Sequence, residues 1–142
     1  MSKHAYIHIP FCRQKCNYCA FLSVSAPNYI PKYIETLKNE IQEKYRGEIL
    51  KTIYFGGGTP SLLSIEQIKS IIEPLKYEKN AEITLEINPE IIDREYLEKL
   101  KTETPINRLS IGIQTFDDEV LKILGRCHTS KTSIDIIKTA KE

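Results

Sequence analysis

Three thiols fall within eight residues of this chain, in Cys12-Arg13-Gln14-Lys15-Cys16-Asn17-Tyr18-Cys19. They follow Tyr6-Ile7-His8-Ile9-Pro10-Phe11, which reads as a strand ended by a proline. Cysteine thiolates at short spacing on a loop are the donors that hold iron–sulfur clusters. Three such ligands on a four-iron cubane leave one iron without a protein ligand, and an open coordination position is where a substrate or cofactor can bind. A closed structural zinc site instead wants four ligands, usually as two CxxC-type pairs. The one other cysteine, Cys127, lies more than a hundred residues away, and His4 and His8 both precede the loop on the strand. The spacing therefore favours a cluster over zinc, and over three unrelated buried thiols.

Other residues with chemical potential lie at the ends of later strands. Gly56-Gly57-Gly58-Thr59-Pro60 follows a strand. Without side chains its backbone can approach a ligand closely. No Gly-Lys-Ser/Thr follows, as a phosphate loop would require, and the plain alternative is a tight strand–helix connection. Glu86 reads either as an ion-paired structural carboxylate or as an acceptor for ligand hydroxyls. Gln114 and Arg126 read as surface or helix-end residues, and Arg126, just after Gly125, suits a helix C-terminus. Tyr6 is strand filler or a ligand contact, His8 a satisfied core histidine, and Cys127 a loop thiol. Asp117-Asp118-Glu119 reads as a charged first helical turn, not a metal site. No Ser/His/Asp hydrolase pattern, HExxH motif or Rossmann fingerprint is present.

These residues need a scaffold, and the hydrophobic pattern supplies one. Strands are predicted over 5–9, 51–55, 82–87 and 108–114. Helices are predicted over 31–46, from Ser64, over 94–101, over 118–124, and from Ser130 or Lys131 onward. Ser64 with Gln67 makes a capping box. Asp93 and Asp117 are N-caps, Gly47 is a C-terminal cap and Gly125 a stop. The β-α-β-α rhythm argues a parallel sheet with right-handed crossovers. Parallel strands covered on both faces usually read as continuous apolar runs, yet these alternate. Ile83, Leu85 and Ile87 oppose Thr84, Glu86 and Asn88, and Leu109, Ile111 and Ile113 oppose Ser110, Gly112 and Gln114. Uncompensated buried polar groups are costly, so the polar face is expected to line a cavity for a polar ligand. The cysteine loop, the triple glycine and Gln114 all fall at the strand C-terminal ends.

The 142 residues amount to about one domain. Their 41% hydrophobic and 27% charged content is ordinary for a globular protein. A net charge of +1 gives no footprint for nucleic acid or an anionic membrane. No signal-peptide pattern or transmembrane-length apolar run occurs, and three clustered thiols suit a reducing cytosol, so a cytoplasmic location is expected. A complete (β/α)8 barrel needs about 200–250 residues or more. The expectation is one domain over 1–142, half of such a barrel, that stops within a helical pattern: an N-terminal fragment, a truncated product or a split barrel.

CxxxCxxC with an aromatic before the last cysteine resembles the cluster loop of the radical S-adenosylmethionine (SAM) superfamily. With Tyr54-Phe55-Gly56-Gly57-Gly58-Thr59-Pro60-Ser61, Glu86-Ile87-Asn88-Pro89-Glu90 and Arg108 through Phe116, nearly the whole chain resembles the oxygen-independent coproporphyrinogen III oxidase family. The true oxidases carry a further cysteine two positions after the third; here that position is Phe21, which points to the heme chaperone (HemW-like) branch. The resemblance implies an α/β fold of parallel (β/α) repeats forming the N-terminal half of a radical SAM barrel. It implies a [4Fe-4S] cluster on Cys12, Cys16 and Cys19, with SAM chelating the fourth iron and being cleaved by one electron. It implies SAM contacts by Tyr6, Gly57, Gly58, Thr59 and Glu86, and contacts to a second SAM by Tyr18, Gln114 and Arg126. Heme or a porphyrin, a flavodoxin-type electron donor, and a partner or C-terminal part completing the barrel are the implied partners. Three functions stay open at this point: a heme-binding chaperone, a coproporphyrinogen III oxidase, and an inactive fragment.

Overall fold

The computed structural model describes residues 3–142. Four strands form one sheet in the order β1-β2-β3-β4, every neighbouring pair parallel. They are β1 (His4–Ile9), β2 (Leu50–Gly57), β3 (Tyr77–Ile87) and β4 (Arg108–Ile111), with helices α1 (Ile30–Lys44), α2 (Ile65–Ile72), α3 (Arg94–Glu103), α4 (Asp118–Ile123) and α5 (Ser130–Lys141). Short 3-10 turns at Pro27–Tyr29 and Pro60–Leu62 precede α1 and α2. Among the described residues no helix is long and apolar enough to cross a membrane.

The alternation seen in the sequence divides the sheet into two faces. Ile7, Ile9, Ile53, Phe55, Ile83, Leu85 and Ile87 are buried, packed with Ile34 of α1, Ile68, Ile71 and Ile72 of α2, Leu97 and Leu100 of α3, and Ile136 of α5. Each such side chain removed from water contributes about 1.5–3 kcal/mol. Helix starts follow local chemistry. Ser64 accepts from the Gln67 amide while the Gln67 side chain accepts from the Ser64 amide, closing the capping box. Asp93, Asp117 and Thr129 cap α3, α4 and α5 through side-chain oxygens.

β1 and β2 run slightly longer than expected, β2 through Gly57, and the other two strands depart in ways that matter. β3 begins at Tyr77, well before residue 82, and carries an irregularity: Leu50 pairs with Tyr77 but Thr52 with Glu82. Its early part, Glu78-Lys79-Asn80, is polar and without period, so no alternation marks it as strand. β4 ends at Ile111, not at Gln114. Gln114 has a left-handed backbone (φ 66°), and the Ile113 and Thr115 amides fold back on the carbonyls of Ile111 and Ile113. The carbonyls released there are taken by side chains, Gly112 by Arg126 and Ile113 by His128.

Candidate functional site

A cavity of about 560 Å³ opens at the C-terminal ends of the strands, within the usual range for small-molecule sites. Its wall holds Cys12, Cys16, Cys19, Tyr18, Gly57, Gly58, Thr59, Glu86, Gln114 and Arg126. Tyr6 is the one expected site residue outside that wall. Its hydroxyl bonds to His8 Nδ1 (3.1 Å), its ring stacks on Tyr54, and it is largely exposed. Cys127 lies in the wall, exposed, and accepts a hydrogen bond from Gln14 Nε2 at 2.9 Å. Phe21, 72% exposed, also lines it.

The cysteine loop is tied down at several points. Phe11 is buried edge-on against Tyr33, which donates to the His8 carbonyl at 2.6 Å. The Cys12 amide donates to Val24 O, and Val24 N to Pro10 O. Further along, the Asn17 amide and side chain donate to the Leu124 and Ile123 carbonyls at the end of α4, and Gln14 Nε2 donates to Gly125 O. The loop thus bridges the start of the sheet and the end of α4, residues far apart in sequence.

The triple glycine runs under this loop. Gly58 N donates to Ile9 O and Thr59 N to Phe11 O. A Cβ at Gly58 would lie 2.6 Å from the Phe11 carbonyl oxygen and 3.0 Å from Cys12 Sγ, and Gly57 has φ 121°, a backbone that L side chains rarely adopt. Close approach, more than flexibility, demands glycine here. The Thr59 hydroxyl donates to Cys12 Sγ (3.4 Å) and accepts from Asn88 Nδ2 (3.1 Å).

Glu86 accepts from the Tyr54 hydroxyl (2.7 Å) and the Gly57 amide (3.2 Å), so its carboxylate is oriented at the cavity wall. Burial and then the Glu86 carboxylate keep the Tyr54 phenol protonated above its ordinary range. Arg126 follows the end of α4, its amide donating to the Leu121 carbonyl, but its side chain is not a surface group. It is buried, and donates to Asn88 Oδ1, Glu90 Oε2 and the Gly112 carbonyl at 3.0–3.1 Å, and to Cys16 Sγ at 3.6 Å. Burial works against its charge, but Glu90 and the Cys16 sulfur outweigh this, and its pKa is raised. Burial also raises the Tyr18 phenol, which sits between Arg126 and Cys16. Asn88, Glu90 and His128 were not singled out in the sequence as site residues. Asn88 did belong to the polar strand face expected to line the cavity, and Asn88 and Glu90 to the quoted Glu86-Ile87-Asn88-Pro89-Glu90 stretch, whereas nothing local marked His128.

Among the described residues no three His, Cys, Asp or Glu side chains converge as ligands of one ion.

The sequence profile of the Radical SAM superfamily matches residues 6–142. The chain belongs to the radical SAM superfamily. It is 40% identical to the heme chaperone HemW of Synechocystis sp. over 99% of this chain and 36% of that protein. It is 41% identical to the heme chaperone HemW of Lactococcus lactis over 97% of this chain and 37% of that protein. This radical SAM chain thus spans under two-fifths of the length of these relatives. The structure of coproporphyrinogen III oxidase (HemN) from Escherichia coli, a radical SAM enzyme, aligns with a TM-score of 0.86 and 29% identity over 96% of this chain and 33% of that one. The α/β fold of parallel repeats is that of the corresponding part of this radical SAM enzyme.

Proposed function

We propose that this chain is the cluster- and SAM-binding part of a radical SAM protein of the heme chaperone type. One observation carries the reading: Cys12, Cys16 and Cys19 open onto the same cavity as Gly57, Gly58, Thr59 and Glu86. The donor set fits a [4Fe-4S] cluster, being three thiols on one anchored loop, two of them already facing hydrogen-bond donors from Thr59 and Arg126. With SAM bound at the iron that lacks a cysteine, such a cluster supplies the single electron that breaks a sulfonium C–S bond.

The chain's own residues bind and orient. Gly57, Gly58 and Thr59 offer close backbone to the methionine part of SAM. Glu86, held by Tyr54 and Gly57, accepts from the ribose hydroxyls. Tyr18, Gln114 and Arg126 line the remaining wall, where the oxidase family would hold a second SAM. Tyr6 acts on the site through its stacking on Tyr54. Phe21 and the names of the similar proteins support heme as cargo. A flavodoxin-type electron donor, a cytoplasmic location and a further segment completing the barrel belong to the same reading. The likeness to coproporphyrinogen III oxidase favours decarboxylation of the porphyrinogen as the second reading.

Anaerobic reconstitution with iron and sulfide tests the site. The dithionite-reduced chain is expected to show a [4Fe-4S]⁺ electron paramagnetic resonance signal that shifts on adding SAM. No signal, or one indifferent to SAM, sinks the cofactor assignment. Added heme is expected to give a Soret band of a protein complex, without turnover of coproporphyrinogen III. Formation of protoporphyrinogen instead establishes the oxidase.

A further inference from the structure

Arg126, Glu90 and His128 form a largely buried charged cluster beside the cysteine loop. The Arg126 side chain is 3% exposed, Glu90 18% and His128 0%. A guanidinium carries five N–H donors in a fixed fork. Here Nη2 faces Asn88 Oδ1, Glu90 Oε2 and Gly112 O, Nε faces His128 Nδ1 (3.4 Å), and Nη1 faces Cys16 Sγ (3.6 Å). His128 is itself anchored. Its Nε2 lies 3.1 Å from the Ile113 carbonyl, which can only accept, so Nε2 carries the proton and donates. Its Nδ1 lies 3.0 Å from the same Glu90 oxygen that receives Arg126 and 3.4 Å from Arg126 Nε, and it serves one of the two, as donor to the carboxylate or as acceptor from the guanidinium. Glu90 thereby grips the guanidinium directly, His128 packs against this pair, and Nη1 points at a thiol of the cysteine loop.

We propose that Glu90 and His128 are positioning residues that hold the Arg126 guanidinium against the Cys16 sulfur, where Arg126 serves the cluster thiolate as a fixed donor. Asn88 extends the same arrangement to the second thiol, since its amide takes Arg126 at one end and gives to Thr59 at the other, and Thr59 donates to Cys12. Donors to the sulfurs and nearby positive charge favour the more negative, reduced state and so raise the reduction potential. This rests on the [4Fe-4S] reading above only for its electrochemical consequence.

Two measurements test it. In the iron-free chain labelled with ¹⁵N, the Arg126 side-chain N–H resonances, assigned with Arg126→Lys, are expected to exchange slowly. They are expected to collapse into the averaged arginine signal in Glu90→Ala and in His128→Phe, while the backbone amide spectrum away from the site stays in place. Rapid exchange in the parent chain, or slow exchange that survives Glu90→Ala, overturns the proposal. In the reconstituted chain, redox titration followed by electron paramagnetic resonance is expected to give a more negative potential for Glu90→Ala and for Arg126→Met alike. The sign is diagnostic, because deleting the Glu90 charge alone would move the potential upward. In an Arg126→Met background Glu90→Ala is expected to lose its lowering effect. A rise, or no change, for Glu90→Ala in the parent chain refutes the positioning role. Failure of the parent chain to assemble a cluster would sink the cofactor assignment, and the resonance test of Arg126 would still decide this one.

Discussion

Individual side chains carry the sharpest expectations. Cys16→Ala should lose reconstituted iron and sulfide, whereas Cys127→Ala should keep both, since Cys127 lies outside the CxxxCxxC loop although it shares the cavity wall. Equal losses in the two variants, read by iron and sulfide assay, would refute the ligand assignment. Glu86→Gln keeps the shape that Tyr54 and Gly57 surround but removes the charge. Loss of one charge-assisted hydrogen bond is worth about 1.5–3 kcal/mol, so SAM should bind on the order of tenfold more weakly or worse. Titration of the SAM-dependent spectral shift checks this, and an unchanged affinity would return Glu86 to a purely structural role. Gly58→Ala forces a methyl group to 2.6 Å from the Phe11 carbonyl oxygen, a backbone atom that cannot swing away. Destabilisation of roughly 1–3 kcal/mol is expected by analogy with overpacking, together with a loss of cluster occupancy, because Cys12 Sγ lies at 3.0 Å from the same methyl position.

At the level of elements, the caps and the loop anchors make separable contributions. Ser64→Ala removes one half of the capping box of α2. It should cost about 1 kcal/mol in thermal or chemical denaturation and leave the cluster signal unchanged, since α2 packs behind the sheet and away from the thiols. Any change in iron content in this variant would mean that the site is coupled to α2. The cysteine loop behaves differently. Its amides and side chains are satisfied by Val24, by the loop's own Cys16 carbonyl and by the carbonyls at the end of α4. It is therefore held from both ends of the chain, and the shortness of β4 is part of the same design. By leaving the ladder after Ile111, the backbone turns the Gly112 and Ile113 carbonyls toward Arg126 and His128.

For the whole molecule, one apolar face of a four-stranded parallel sheet holds the helices, and the opposite polar face with its C-terminal rim holds the cavity. Leu85 is fully buried at the centre of that apolar face. Leu85→Ala should cost about 2–5 kcal/mol and, as the strand also carries Glu86, should weaken folding and cofactor binding together; a stable variant with an intact SAM response would separate core from site. Much of this architecture was legible in the sequence, because its signals are local. A period of two in Ile83 to Asn88 marks faces, Ser64 with Gln67 marks a helix start, and CxxxCxxC sets three donors on one loop whatever surrounds it. The polar start of β3 and the early end of β4 were not legible, because pairing with β2 and capture of carbonyls by distant side chains decide them. Tyr6 shows the same limit: its place on β1 could be read, but its distance from the cavity wall could not. So does Arg126, which reads as a helix-end residue until Glu90, Asn88, Gly112 and Cys16 are brought around it. By itself the sequence determined which residue types stand at which spacing, and hence the strands, the caps and the thiol loop. Only the tertiary structure decided which buried charges meet, because a guanidinium leaves water only where acceptors from several segments converge on it.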